Sequence, residues 1–185
     1  MTAAESDQPK IVFCTGHRPD YVGGYSDQAL EYLVETAKAA LMELQPDKVI
    51  VGGAVGWDTA CALACIDLNI PYILAVPFEG QESRWPEKSQ KVYNHTKDCA
   101  AEVVMVCEPG YAPWKMMKRN QWMTDNGEIG LALFHEEKTH GGTFQCVKYA
   151  LETNKPMMNA WNIFANGSKL LSKIDPNILS KSVAP

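Results

Sequence analysis

The sequence contains no apolar run approaching the roughly 20 residues that a membrane-spanning helix needs. It has no internal repeat, no low-complexity stretch and no Cys-x-x-Cys pair. It also lacks an excess of basic charge. With 22 acidic and 17 basic side chains in 185 residues, the net charge is −5, which argues against a nucleic-acid binder that relies on clustered Lys and Arg. A small anionic ligand is not excluded, because a few backbone N–H groups and one Arg can hold it. The opening MTAAESDQPK is polar and acidic and lacks the basic-then-apolar pattern of a signal peptide. The expectation is a cytoplasmic protein with no membrane partner.

Hydrophobic residues make up 46% and charged residues 21%, a globular balance. At this length one domain is the default. The six cysteines, Cys14, Cys61, Cys65, Cys99, Cys107 and Cys146, mostly sit in apolar runs and read as small core residues. Cys61 and Cys65 are one helical turn apart, but no second Cys or His pair lies nearby, so core is preferred over metal. Nothing in the sequence requires a metal or a cofactor.

Apolar runs alternate with helical periodicities. Strands are expected at Ile11–Cys14, Lys48–Val51, Tyr72–Val76, Glu102–Cys107, Ile129–Phe134 and Met157–Ala160. Helices are expected at Asp27–Leu44, Thr59–Leu68, Glu87–Cys99, Trp114–Asn126 and Thr143–Thr153, with a short one over Ser168–Ile174. The strands are continuous apolar runs, as in a sheet covered on both faces. This is the pattern of a doubly wound α/β fold, mainly parallel, with helices on both faces. Residues 1–9 are expected to be a flexible segment, 10–165 the domain and 166–185 a weakly structured tail.

In such sheets ligands bind beyond the carboxyl ends of the strands, so the strand-to-helix loops carry the chemistry. After strand one comes Thr15-Gly16-His17-Arg18-Pro19. It offers a hydroxyl, a tight turn and a donor fork suited to phosphate, or else a plain surface loop. His17 reads as structural, since a lone His has no visible partner. After strand two, Gly52-Gly53-Ala54-Val55-Gly56-Trp57-Asp58 forms a glycine-rich anion cradle. It is neither a dinucleotide fingerprint nor a Walker loop. Asp58 stands where an N-cap belongs, or accepts a ribose hydroxyl. After strand five, His140-Gly141-Gly142-Thr143 suits a phosphate at a helix start, with Thr143 as the cap.

Two polar segments add candidates. Pro77–Trp85, with Glu79, Gln81 and Arg84, has the chemistry of a base or ribose contact, or else is a solvated loop with Phe78 and Trp85 on the core. In Met116–Asp125, Arg119 and Asn120 are the polar residues available to a crevice, while the methionines read as core.

Taken together, these pieces resemble the SLOG superfamily of Rossmann-like domains, grouped around the DNA-processing protein DprA and the cytokinin-activating LOG enzymes, and within it the YpsA-like branch. The matching pieces are Thr15–Pro19, Gly52–Asp58, Pro77-Phe78 with Gln81 and Trp85, Arg119-Asn120 with Met123 and Asp125, and Gly141–Thr143 followed by Tyr149-Ala150. They occur in order between Ile11 and about Ala160. The resemblance implies a nucleotide or ADP-ribose-like ligand at the carboxyl edge of the sheet. Gly16, Arg18, Gly52, Gly53, Gly56, Gly142 and Thr143 would form its phosphate side, and Asp58, Glu79 and Gln81 its ribose and base side.

The chain departs from the LOG pattern Pro-Gly-Gly-x-Gly-Thr-x-x-Glu, because Cys146 stands three residues after Thr143 where that pattern has Glu. Whether the protein is an enzyme is therefore left open. The first expectation is a ligand-binding module, with Thr15, Gly141 and Arg119 completing the ligand-binding set. The alternative is a nucleoside 5′-monophosphate N-glycosidase, with Glu79 or Asp125 as the carboxylate. A second alternative is single-stranded nucleic-acid binding through Tyr21, Tyr25, Trp85, Tyr111 and Trp114, which the charge balance disfavours. Related domains often pair, so a homo-oligomer is among the expected forms.

Overall fold

The structure is a computed structural model and describes residues 8–183; the expected flexible segment 1–9 lies almost wholly outside them. Strands and helices alternate along the chain: β1 (Ile11–Gly16), α1 (Asp27–Leu44), β2 (Lys48–Val51), α2 (Trp57–Leu68), β3 (Tyr72–Val76), α3 (Glu87–Cys99), β4 (Glu102–Met105), α4 (Pro113–Asn126), β5 (Ile129–Leu133), α5 (Gly142–Glu152), β6 (Met157–Asn159), α6 (Trp161–Asn166) and β7 (Ser172–Lys173). Short 3₁₀ segments cover Pro19–Tyr21 and Pro176–Val183. The sheet order is β4-β3-β2-β1-β5-β6-β7. Every pair is parallel except β6–β7. The chain runs outward from β1 to β4, then returns to β5 on the other side of β1. The topological switch therefore lies between β1 and β5, where such folds place ligands.

Local chemistry sets the helix ends. Ser26 accepts from the Ala29 amide at 3.1 Å and starts α1. Asn69 takes a left-handed conformation (φ 55°) and returns its N–H to the last turn of α2. Alternation along the central strands divides the core. Val12, Cys14, Val49, Val51, Leu74 and Val76 pack with α1 and α2 on one face, while Phe13, Ile50, Ala75 and Ala132 pack with α4 and α5 on the other. α2 is buried nearly all round, which is why its sequence shows no polar face. Cys61 and Cys65 lie inside it, and among the described residues no three His, Cys, Asp or Glu side chains form a metal-binding group.

Three differences from the sequence reading have physical causes. β1 runs on through Thr15 and Gly16, which pair with Ala132 and Leu133 of β5. The segment expected as a helix over 168–174 instead forms β7, antiparallel to β6. The open edge of β6 offers unpaired backbone groups, and pairing there buries Ile174 and Ile178. α6, unforeseen, is too short to show periodicity. It is launched by Asn159, whose Oδ1 accepts from the amides of Phe134 and Trp161, both at 3.1 Å. β4 is the uncovered edge, with Val103 and Met105 exposed.

Gly16 is a packing glycine. A Cβ there would lie 2.5–2.6 Å from three Trp57 side-chain atoms. Gly16→Ala is expected to lower stability by about 1–3 kcal/mol through overpacking, read as a reduced urea midpoint. An unchanged midpoint would show that Trp57 can yield.

Candidate functional site

The loops leaving β1, β2, β3 and β5 converge at one edge of the sheet. In the first, His17 turns inward. Its amide donates to the Leu133 carbonyl (3.2 Å), and its Nε2 accepts from the His135 amide (2.9 Å). Burial, then the nearby Lys138 and His135, lower its pKa to about 4. The imidazole is thus a neutral tie between β1 and the β5 loop. The next residue, Arg18, is extended and exposed.

The second loop encloses charge rather than presenting outward amides as an open cradle. Gly53 and Gly56 have positive φ (69° and 105°), a conformation that only glycine adopts without strain. Gly52 lies against Arg119 and Asp58: a Cβ there would be 2.5 Å from Arg119 Nη1 and 2.8 Å from Asp58 Oδ2. Arg119, from the middle of α4, is 4% exposed. Its Nη1 donates to the carbonyl of Gly52 and, at 3.5 Å, to that of Ala75. Asp58 does not cap α2, which starts from Gly56 without a side-chain cap. Its carboxylate instead accepts from the Ala54 amide at 3.3 Å.

Burial raises the Asp58 pKa, while Arg119, the Ala54 amide and Arg18 oppose the rise. Burial also lowers the Arg119 pKa; Asp58 counters this, and the Arg18 charge lowers it further. Asp58 and Arg119 thus lie buried against each other, with the Arg18 charge felt by both. Cys146, one turn into α5, is buried beside Thr15 and Thr124 and feels both Arg119 and Asp58. Burial raises its thiol pKa, so it is not a poised thiolate nucleophile. Its position brings the start of α5 against the Asp58–Arg119 cluster.

In the third loop Phe78 is buried and Glu79 is exposed at the rim. Gln81 is 9% exposed, and its Nε2 sits 3.2 Å from where a Gly53 Cβ would be. That amide nitrogen, the Trp57 Nε1 and the Glu82 Oε2 are buried without a hydrogen-bond partner, an arrangement that is uncommon in a finished interior. Trp57 and Glu82 escaped the sequence reading. Trp57 adjoins Asp58 but looks like core, and a Glu in a polar stretch carries no distinguishing mark.

In the fourth loop Gly141 (φ 91°) precedes α5, and no side chain caps the helix. Thr143 is therefore not the cap. A Cβ on Gly141 or Gly142 would meet nothing within 4 Å, so the start of α5 is open at these two residues.

The structure thus groups Thr15, Arg18, Gly52, Asp58 and Arg119, with Gly53 and Gln81 alongside and Gly141–Thr143 across the switch point. Gly16 and Gly56 instead serve packing against Trp57, His17 and Pro19. Asp125 lies elsewhere. It is in the last turn of α4, next to the start of β5 at the opposite edge of the sheet, and accepts from the Tyr149 hydroxyl at 2.9 Å. Helix direction decides this: α4 leaves β4 at the carboxyl edge and returns to the amino edge. Of the aromatics, Tyr21, Tyr25, Tyr111 and Trp114 are exposed, whereas Trp85 is partly buried and packs edge-on against Tyr93.

Residues 12–165 match the YspA SLOG family. The SPbeta prophage-derived protein YoqJ of Bacillus subtilis (strain 168) is 32% identical over 123 residues, covering 57% of this chain and 70% of that protein. DNA processing protein A (DprA) of Streptococcus pneumoniae shares the fold, with a TM-score of 0.56 and 19% identity over 80% of this chain, which spans about half (49%) of that one. DprA of Helicobacter pylori, whose structure is described for its single-stranded DNA binding mode, aligns with a TM-score of 0.57 and 18% identity, covering 82% of this chain and 65% of that one. With a DNA-binding protein on the same fold, net charge alone does not argue against a nucleic-acid partner.

The depressed His17 pKa fixes a sign. The unfolded chain takes up a proton near pH 6.5, while the folded protein resists until about pH 4. The contribution of His17 is therefore complete above pH 6.5 and declines as pH falls toward 4, by roughly 3 kcal/mol. His17→Gln is expected to flatten the pH dependence of urea unfolding between pH 6.5 and 4.5. Equal slopes in both proteins would remove His17 as the cause.

Proposed function

The chain belongs to the YspA SLOG family, and from that premise we propose that it binds a nucleotide or nucleotide-derived, ADP-ribose-like phosphate ligand at the carboxyl edge of the sheet, in the cytoplasm, to sense or sequester it. The observation that carries this reading is the exposed Arg18 at the carboxyl edge beside the buried Arg119 and Asp58, which meet at Gly52. A phosphate would pair with Arg18, and the start of α5, which has no side-chain cap and open space around Gly141 and Gly142, would add helix N-terminal amides. Arg119 acts from within: its bonds to Gly52 and Ala75 hold the ends of β2 and β3 in place. Arg18 is the arm free to meet the ligand. Asp58 and Gln81 are the nearest acceptor and donor for the sugar.

The N-glycosidase reading needs a carboxylate at the same edge. Asp125 lies at the wrong edge, and Cys146 occupies the position of the LOG glutamate, which leaves Glu79 at the rim. Binding without turnover is accordingly the primary reading. Single-stranded nucleic acid would use the exposed rings of Tyr111 and Trp114.

Arg18→Ala is expected to weaken binding of a nucleoside monophosphate by about 1.5–3 kcal/mol, the worth of a hydrogen bond to a charged group, with stability unchanged because the side chain is exposed. Calorimetric titration against a panel of nucleotides and ADP-ribose measures it. Unaltered affinity removes Arg18 from the site.

A further inference from the structure

A cavity lies on the other side of the switch point from the Asp58–Arg119 cluster. It measures about 520 Å³, within the range of roughly 300–1,000 Å³ usual for small-molecule sites. Its walls are His17, Tyr21, His135, Glu137, Lys138, His140 and Trp161. They come from the loop after β1, the loop after β5 and the start of α6. Three of the chain's four histidines and two large aromatic rings meet here.

Three histidines first suggest a metal, but no three ligand side chains converge among the described residues. Nε2 of His17 is moreover already engaged by the His135 amide. What the cavity offers is ring surface. His17 is 5.8 Å from Tyr21 and 6.3 Å from Trp161, centroid to centroid, and so touches both. His135 stands edge-on to Trp161 at 4.9 Å. Lys138 Nζ lies over the Tyr21 ring, 2.7 Å from its centroid, as a cation lies on a π face. The ring walls are held by backbone ties: Asn159 fixes the start of α6 beneath Trp161, and His17 fixes the loop after β5.

Two one-residue steps connect this cavity to the phosphate side. His17 is followed by Arg18, and His140 by Gly141 and the open start of α5. A ligand whose phosphate met Arg18 and Gly142 would have a wall residue of this cavity next to each along the chain. We propose that the cavity is the base pocket: it takes the planar heteroaromatic ring of the ligand among Tyr21, Trp161 and the histidines, with Lys138 displaced from the face of Tyr21 and donating to ring acceptors. This places the base at β1, β5 and β6, whereas the sequence reading put it near Glu79 and Gln81. The proposal rests on the nucleotide reading above.

Calorimetry with adenosine 5′-monophosphate, ribose 5-phosphate and adenosine separates the two. Tyr21 is 57% exposed and His140 is exposed, so Tyr21→Ala and His140→Ala leave the core intact. The monophosphate is expected to bind at least fivefold more tightly than ribose 5-phosphate, at the lower end of what a stacked base contributes. Tyr21→Ala should erase most of that advantage and His140→Ala part of it, with ribose 5-phosphate unaffected. Arg18→Ala should weaken both phosphates. If the advantage survives Tyr21→Ala and His140→Ala while Arg18→Ala weakens both ligands, the base pocket is overturned and the phosphate reading stands. If adenosine binds as tightly as the monophosphate, is lost with Tyr21→Ala and ignores Arg18→Ala, the phosphate reading falls and the pocket stands. No heat from any of the three overturns both.

Discussion

A guanidinium buried between the ends of two strands governs the arrangement of this edge. Arg119 reaches from α4 to the carbonyls of Gly52 and Ala75. Burying such a charge is costly unless it is paired and hydrogen-bonded. Asp58 supplies the charge and the strand-end carbonyls accept the hydrogen bonds. Gly52 has to be glycine because a Cβ would occupy the space of the guanidinium. Gly53 turns the chain so that the Ala54 amide can meet the Asp58 carboxylate. Removing either charged partner would leave the other buried alone, so the glycine loop, Asp58 and Arg119 form one unit. Arg18 adds a second guanidinium whose charge is felt by both Asp58 and Arg119.

Much of this fold is legible in the sequence because its central strands are buried on both faces and most of its helices end at or next to Asn, Pro or Gly. α1, β2, β3 and α3 fall on their expected residues. The elements that differ depend on partners distant in sequence. β1 gains Thr15 and Gly16 only because β5 lies alongside. β7 exists only because β6 leaves an edge to pair with. α6 depends on the Asn159 side chain rather than on any periodicity.

The site was legible by loop but not by role. Glycine-rich turns after strands one, two and five gather at the carboxyl edge of the sheet, yet the reason for each glycine differs. Gly16 yields space to Trp57, Gly52 to Arg119, and Gly141 and Gly142 face open space. Glycine carries no side chain whose chemistry distinguishes these uses. Asp58 and Thr143 matched the residue preferences of helix caps, but both helices begin one or two residues earlier, from Gly56 and Gly141. Asp125 shares a motif stretch with Arg119, yet about one and a half turns of helix carry it to the far edge.

The switch point divides the carboxyl edge into two environments. Toward β2 and β3 it is charged and sealed, with Gln81, Trp57 and Glu82 holding buried polar atoms that lack partners. Toward β5 and β6 it is open and aromatic. The loop after β1 is shared: His17 faces the aromatic side and Arg18 is placed to act on the charged one. The neutral state of His17 matters to that division. A protonated imidazole could not accept from the His135 amide, and the tie that holds the loop after β5 beside β1 would be lost. One buried, uncharged histidine therefore keeps the ring-lined half in register with the charged half. The ligand proposed for this edge would meet Arg18 and the rings along that single loop.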